Sequence, residues 1–286
     1  MQYGFVLPGG SIHEIAELAK QAEVAGWDGI FIPDCIAIDQ LDDPASLGFD
    51  PWIALAAIAL HTQQIRIGTM VTPVSRRRPW KLARETTTLD HLSHGRMVLP
   101  VGLGALDDVG FGRVSEATER KVRAQLLDEG LAILDRLWSG QRFSYDGTHY
   151  HVQDIQFLPT HVQQPRIPVW VVAAWPRMKS MQRALHWDGV MPMKMENSGT
   201  MSSMAPDDIR AMKEFLFAHR ANQPIDIIIE GETPGDDLST AIAQLQPYAD
   251  AGVTWWLETM WSARVGYDGP DGVRQRILQG PPGSRS

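Results

Sequence analysis

The chain has 286 residues and a formal net charge of −8, with acidic and basic residues interspersed, which argues against an electrostatic footprint for nucleic acid or an anionic membrane surface and for a small-molecule partner. Its length exceeds that of one small domain but suits an α/β barrel built as a single unit. One cysteine, Cys35, excludes an intramolecular disulfide framework and any CxxC site; the opening segment MQYGFVLPGG lacks signal-peptide character and no apolar run approaches a membrane span, so a cytoplasmic setting is expected.

Short β-branched runs alternate with longer amphipathic runs, the pattern of βα units repeated around a parallel sheet. The first strand is predicted over Tyr3–Leu7. Ser11 and Glu14 then read as an S-x-x-E capping box before an apolar face of Ile12, Ile15, Ala16, Ala19 and Ala22, and Gly26 stands where a left-handed cap is expected. Strand two is predicted over Gly29–Pro33 and strand three over Ile65–Val71; Pro79 opens a helical run to Leu92. Strand four is predicted over Met97–Leu103, with Pro100 inside it implying a local bulge. The run from Glu116 to Trp138 places Val122, Leu126, Leu134, Leu137 and Trp138 on one helical stripe. Asp146-Gly147, between two β-like runs, signals a hairpin that decorates the barrel before strand five.

Strands five to eight are predicted over Val169–Ala173, Gly189–Met193, Ile225–Glu230 and Val253–Glu258. Pro206, Asp207 and Asp208 open a further helix, with carboxylates at the positive end of its dipole. The expectation is one (β/α)₈ TIM barrel over residues 1–279 and a flexible C-terminal tail over 280–286.

Active sites of such barrels lie at the C-terminal ends of the strands. That directs attention to Pro8 to Gly10, Asp34 and Cys35, Met70 to Pro73, Gly102 to Leu106, Ala174 to Lys179, Lys194 to Asn197, Gly231 to Thr233, and Glu258 to Trp261. Trp175, Pro176, Arg177 and Lys179 combine backbone N–H groups, a helix dipole and two cations, which suits a phosphate; the alternative is that the two cations are solvated surface charges. Arg76, Arg77 and Arg78 either grip an acidic tail or anionic substrate, or form salt bridges with the acidic surface. Glu258 is the carboxylate near the expected mouth with a proton-handling role, beside Trp255, Trp256 and Trp261. No HExxH, GxSxG, P-loop or complete GxGxxG occurs, so no metal centre, serine hydrolase or Rossmann site is expected.

The most informative stretch, Ile65 to Gly104, reads IRIGTMVTPVSRRRPWKLARETTTLDHLSHGRMVLPVGLG. Its Arg66, Gly68, Thr69 and Pro73, then Gly95, Arg96, Gly102 and Gly104, resemble the R-[IL]-G-T…P and G-R…[LV]-G-x-G elements of the luciferase-like monooxygenase family of flavin-dependent oxidoreductases. GWDGIFIPD, LWSGQRFSYDGTHY and PRIPVWVVAAWP leading into HWDGV extend the resemblance over most of the chain.

The resemblance implies FMN, or alternatively the deazaflavin coenzyme F-420, at the C-terminal mouth. The ring would lie against strands three and four, the phosphate near the fifth helix, and a non-proline cis peptide at Met70-Val71. Asp34, Met70, Val71, Thr72, Gly102, Gly104, Ala174, Trp175, Arg177 and Lys179 would contact the cofactor, and a separate flavin reductase and a homodimer are implied partners. Two departures stand out. Cys35 replaces the histidine that often follows the aspartate of strand two, and Ala105 replaces an acidic residue found in the sugar-phosphate dehydrogenase branch.

The leading expectation is an FMN-dependent oxidoreductase or monooxygenase acting on a small organic substrate. The alternatives are a deazaflavin-dependent hydride-transfer enzyme, a flavin-binding protein without turnover, and a non-flavin aldolase or isomerase relying on Lys194.

Overall fold

The β-branched runs form eight parallel strands: β1 (Gln2–Val6), β2 (Gly29–Ile32), β3 (Arg66–Thr69), β4 (Leu99–Gly102), β5 (Val169–Trp175), β6 (Gly189–Met195), β7 (Asp226–Gly231) and β8 (Trp255–Glu258). Eight helices follow them: α1 (Ile15–Val24), α2 (Pro51–His61), α3 (Pro79–Leu92), α4 (Arg120–Trp138), α5 (Met178–Ala184), α6 (Pro206–His219), α7 (Leu238–Ala251) and α8 (Pro270–Leu278). The computed structural model describes all residues except 9–10, 38–48, 106–107, 197, 199, 221–222, 262–269 and 284–286.

The strands run in sequence order around a ring, with β1 paired to β8 in the register Gln2↔Trp255. The ring closes between β3 and β4, where Ile67 N donates to Arg96 O (3.1 Å) and Val98 N to Ile67 O (2.9 Å), and where Thr72–Pro73 pairs with Val101 and Gly102. This is the expected (β/α)₈ barrel. All its strand ends fall within two residues of the sequence expectation; β4 begins at Leu99 because Met97 contributes only an isolated bridge.

Several local expectations change. Glu14 is the N-cap of α1 but makes no side-chain cap bond; its N–H donates to Ser11 O (3.0 Å) and its carboxylate accepts from Arg274 of α8 (3.1 Å), so the capping box is replaced by a turn. In α4 the expected Leu134, Leu137 and Trp138 are buried, but in its first half the buried residues are Arg123, Leu127 and Leu131, one position on from Val122 and Leu126, which are half-buried. Pro100 needs no bulge in its own strand, because its β4 register with Trp170 of β5 is regular. Its missing N–H faces β3, where the chain leaves the ladder between Thr69 and Thr72. The expected tail at 280–286 is packed at its start, with Pro281 and Pro282 buried; only 284–286 lie outside the described residues.

Two features hold the barrel together below the mouth. The Arg96 guanidinium, buried, donates to Ala59 O (2.8 Å), Thr62 O (3.0 Å), Thr62 Oγ1 (2.8 Å), Ile65 O (3.0 Å) and Ser93 O (2.7 Å), tying the end of α2 to the turn after α3. The cation thereby meets the negative end of the α2 dipole. Inside the barrel, Phe31, Trp170 and Trp255 pack with ring centroids 5.1 to 6.3 Å apart. They fit because the wall is glycine where they touch it: a Cβ on Gly189 would fall 2.2 Å from the Trp170 ring. The lumen is thus filled at depth, and open space is left only above it.

Candidate active site

A cavity of 470 Å³ opens at the C-terminal ends of the strands. Its base is Val172, Met191 and Ile228, the side chains that cap the aromatic plug. On the β3–β4 side it is walled by Met70 and Val71, joined by a cis peptide bond as the family resemblance implied, and by Gly102 and Gly104. A Cβ on Gly102 would meet Val71 and Val172 at 3.2 Å each, so glycine keeps that wall flat. Gly104 has φ +85°, and a Cβ there would lie 2.8 Å from the Phe111 ring.

The loops around the mouth are braced by ion pairs. The Asp34 carboxylate accepts from Arg77 Nη2 (2.7 Å) and Arg76 Nη2 (3.3 Å), and Arg76 also donates to Asp34 O (2.7 Å) and pairs with Asp108. Asp108 in turn accepts from Gly110 N (2.8 Å) and from Ile36 N and Ala37 N (both 3.3 Å), so the segments after β2, β3 and β4 are joined. Burial alone would raise the Asp108 carboxyl, but Arg76 and the Gly110 and Ala37 N–H groups outweigh it and hold the group below the usual carboxylate range. Of the two readings of the arginine triplet, the salt-bridge reading therefore describes Arg76 and Arg77, while Arg78 is exposed.

The cations that reach the cavity come from α4 and from the second turn of α5: Arg120, Arg123 and Arg183. Arg123 is buried, lies 3.9 Å from the Phe111 ring centroid and donates to Gly104 O (3.1 Å); its Nε finds no partner among the described residues. Burial lowers its pKa, and the neighbouring Arg76 adds to the effect. Arg183 is paired with Asp128 of α4, and Arg120 is exposed at the start of that helix.

The structure brings Asp34, Met70, Val71, Gly102, Gly104 and Ala174 together around one space. It does not bring the other candidates there. Thr72 is buried behind the wall, with its hydroxyl 2.7 Å from that of Thr69. Because β5 runs on to Trp175, this ring turns outward against Phe215 (5.9 Å), and Arg177 and Lys179 are exposed away from the cavity. Glu258 is fully buried on the outer face of β8, accepting from Thr233 N (2.7 Å), Thr233 Oγ1 (2.8 Å) and Trp256 Nε1 (3.1 Å) beside Arg276 (3.5 Å). It is a structural carboxylate. Of the three tryptophans near the end of β8, only Trp261 lines the cavity. Lys194 pairs with Asp208 (2.9 Å), which raises its pKa, the opposite of what a Schiff-base lysine requires. Gly9, Gly10, Leu106 and Asn197 lie outside the described residues.

The sequence reading missed Arg120, Arg123 and Arg183, and also Glu230, the half-buried carboxylic acid near the end of β7 that lines the cavity. Burial raises the Glu230 pKa, while a hydrogen bond from Trp261 opposes that shift. Its one signal in the sequence is a lone carboxylate closing an apolar run, Ile227 to Ile229.

Comparison with known proteins matches residues 2–253 to the family model described as luciferase-like monooxygenase. The chain is 27% identical to the F420-dependent glucose-6-phosphate dehydrogenase of Amycolatopsis mediterranei, covering 84% of this chain and 86% of that one. Against the enzyme of the same name from Microbacterium testaceum it is 34% identical over 166 residues, a match that spans only 57% of this chain and 48% of the relative. Among solved structures, an F420-dependent secondary alcohol dehydrogenase in complex with an F420-acetone adduct superimposes with a TM-score of 0.77 at 17% identity, covering 97% of each chain. The oxygenating constituent of 3,6-diketocamphane monooxygenase from Pseudomonas putida, in complex with FMN, superimposes with a TM-score of 0.71 at 14% identity, covering 98% of this chain and 96% of that one. The match over residues 2–253, on a barrel of the expected kind, leads to one conclusion: the chain belongs to the luciferase-like monooxygenase family of oxidoreductases.

Proposed function

We propose that this protein is a hydride-transfer oxidoreductase dependent on a deazaflavin coenzyme of the F-420 type. A planar ring with an anionic tail needs flat apolar faces and cations at the edge, and the cavity offers both. The Met70-Val71 segment, Gly102 and Val172 form the apolar slot, and Arg120, Arg123 and Arg183 form the rim. When bound, a deazaflavin supplies two-electron hydride chemistry without the oxygen activation of a reduced flavin.

The protein's own contribution is positional. Gly102 lets a ring approach the β4 backbone, and the buried Arg123 supplies a fixed charge with an unspent Nε donor. The Asp34–Arg76–Asp108 brace holds the surrounding loops in place. The observation that carries the choice of deazaflavin over FMN is the rim of three guanidiniums on a chain of net charge −8, since a phosphate followed by an acidic tail presents more negative charge than a single phosphate. The names of the relatives support the same choice.

Anaerobic fluorescence titration with F-420 and with FMN, repeated across a salt series, tests the proposal. F-420 is expected to bind more tightly and to weaken as salt rises, because the rim is partly exposed. Retention of FMN through gel filtration together with no measurable F-420 binding would overturn it.

A further inference from the structure

We infer that Glu230 is the group that exchanges the substrate's proton, and that the substrate is a neutral alcohol or carbonyl compound. The inference rests on the deazaflavin reading for the fate of the hydride, but its structural basis is separate. Residues along β7 alternate between faces: Ile227 and Ile229 pack outward among the helices, Ile228 faces the lumen, and Glu230 therefore faces the cavity above it. Among the described residues that line this cavity the carboxylates are Asp34 and Glu230. Asp34 is engaged by two guanidiniums. Glu230 has no ion-pair partner among the described residues, and its neighbour is the indole N–H of Trp261.

Among the described residues, the other charged and titratable groups facing the cavity are Cys35, Arg120, Arg123 and Arg183. Arg120 and Arg123 belong to α4 and Arg183 to α5, whereas the wall between β6 and β7 presents Met191, Met193 and Ile228. Burial in that setting raises the carboxyl's pKa, the direction in which a general acid–base carboxyl is tuned. A charged substrate placed against it would find thioethers and a methyl-rich surface in place of counter-ions. Ala105, where a related branch carries an acid, lines the same cavity without a titratable group.

The step balances. The hydroxyl O–H bond of the alcohol breaks and its proton passes to a Glu230 Oε; the adjacent C–H bond breaks and its electron pair leaves as hydride to the two-electron oxidant, an oxidised deazaflavin; the C–O bond becomes C=O. Reduction of a carbonyl runs the same step in reverse, with protonated Glu230 as donor.

The test compares wild type with Glu230→Gln, using cyclohexanol, 2-butanol and glucose 6-phosphate as probes. Glu230→Gln is expected to bind F-420 within about twofold of wild type and to lose roughly 100-fold or more in turnover of the neutral alcohols, the usual worth of a positioned acid or base. Infrared difference titration of the cofactor-free protein supplies a readout independent of turnover. Wild type should show a protonated-carboxyl band that titrates above the range of free glutamate and is missing from the variant.

Wild-type turnover in the variant, no difference in the infrared titration, or glucose 6-phosphate outrunning the neutral alcohols would each overturn the inference. Absence of F-420 binding with the infrared band intact would instead sink the cofactor reading and leave Glu230 as the titrating group of the cavity.

Discussion

Arg96 shows what the G-R element of this family does here. One guanidinium donates to five oxygens from three segments of chain. Removing it leaves buried carbonyls unpaired, so Arg96→Ala is expected to cost roughly 3 to 5 kcal/mol of stability, and Arg96→Lys nearly as much, since three donors at one point cannot replace a planar fork. Urea unfolding checks this; a loss below about 1 kcal/mol for the alanine variant would show that water substitutes freely.

Asp226, at the opposite end of β7, is a second residue whose environment has a measurable consequence. Burial raises its carboxyl pKa, partly offset by the Thr254 hydroxyl at 2.9 Å. A folded pKa above the unfolded one means that folding takes up a proton, so the stability present below the unfolded pKa is lost as pH rises through the folded pKa. Asp226→Asn removes that slope. It should melt above wild type at pH 7 and together with it at pH 3, and a lower melting temperature at pH 7 would contradict the burial argument.

Glu230 and Glu258 show how little of this was legible in sequence. Both are carboxylates at the end of a strand, separated in role by parity alone: Glu230 follows the inward Ile228 by two, and Glu258 follows the outward Trp256 by two. Apolar residues on both faces of a buried parallel strand erase the alternation that would have announced it.

At the scale of elements, the seam between β3 and β4 brings backbone against backbone. Gly68 belongs to the R-I-G-T element, and a Cβ there would fall 2.6 Å from Val98 O, backbone that has little room to retreat. Gly68→Ala is therefore expected to destabilise by roughly 1 to 3 kcal/mol through overpacking. Thermal melting compared with an exposed-site control gives the answer, and an unchanged melting temperature would mean that the seam yields.

Strand positions were readable because β-branched runs are short and bounded by turn residues. The α1 face was readable too, through Ile15, Ala19 and Ala22, but the start of the α4 face and the loop directions were not. The first half of the α4 stripe slipped by one position, and the two extra residues of β5 turned Trp175 outward and carried Arg177 and Lys179 away from the cavity, while Arg183, one helical turn further on, faces it. A shift of one or two residues costs nothing in periodicity and changes which charge meets the site.

At the scale of the whole molecule, eight alternating units were enough to foresee a closed barrel and the end at which its chemistry lies. Closure itself depends on the seam and on the pairing of β1 with β8, neither of which leaves a local trace. The cationic rim was equally hidden, because its three arginines are spread over residues 120 to 183 and converge only when α4 and α5 dock on adjacent strands. The aromatic plug beneath the cavity has an optical meaning as well. Trp170 and Trp255 are shielded from water, and one layer of side chains separates them from whatever occupies the mouth. Their emission overlaps the absorption of any flavin-like chromophore bound above, so excitation energy passes upward and the indole light dims as the mouth fills. The barrel thus carries its own gauge of occupancy, readable before a substrate is known.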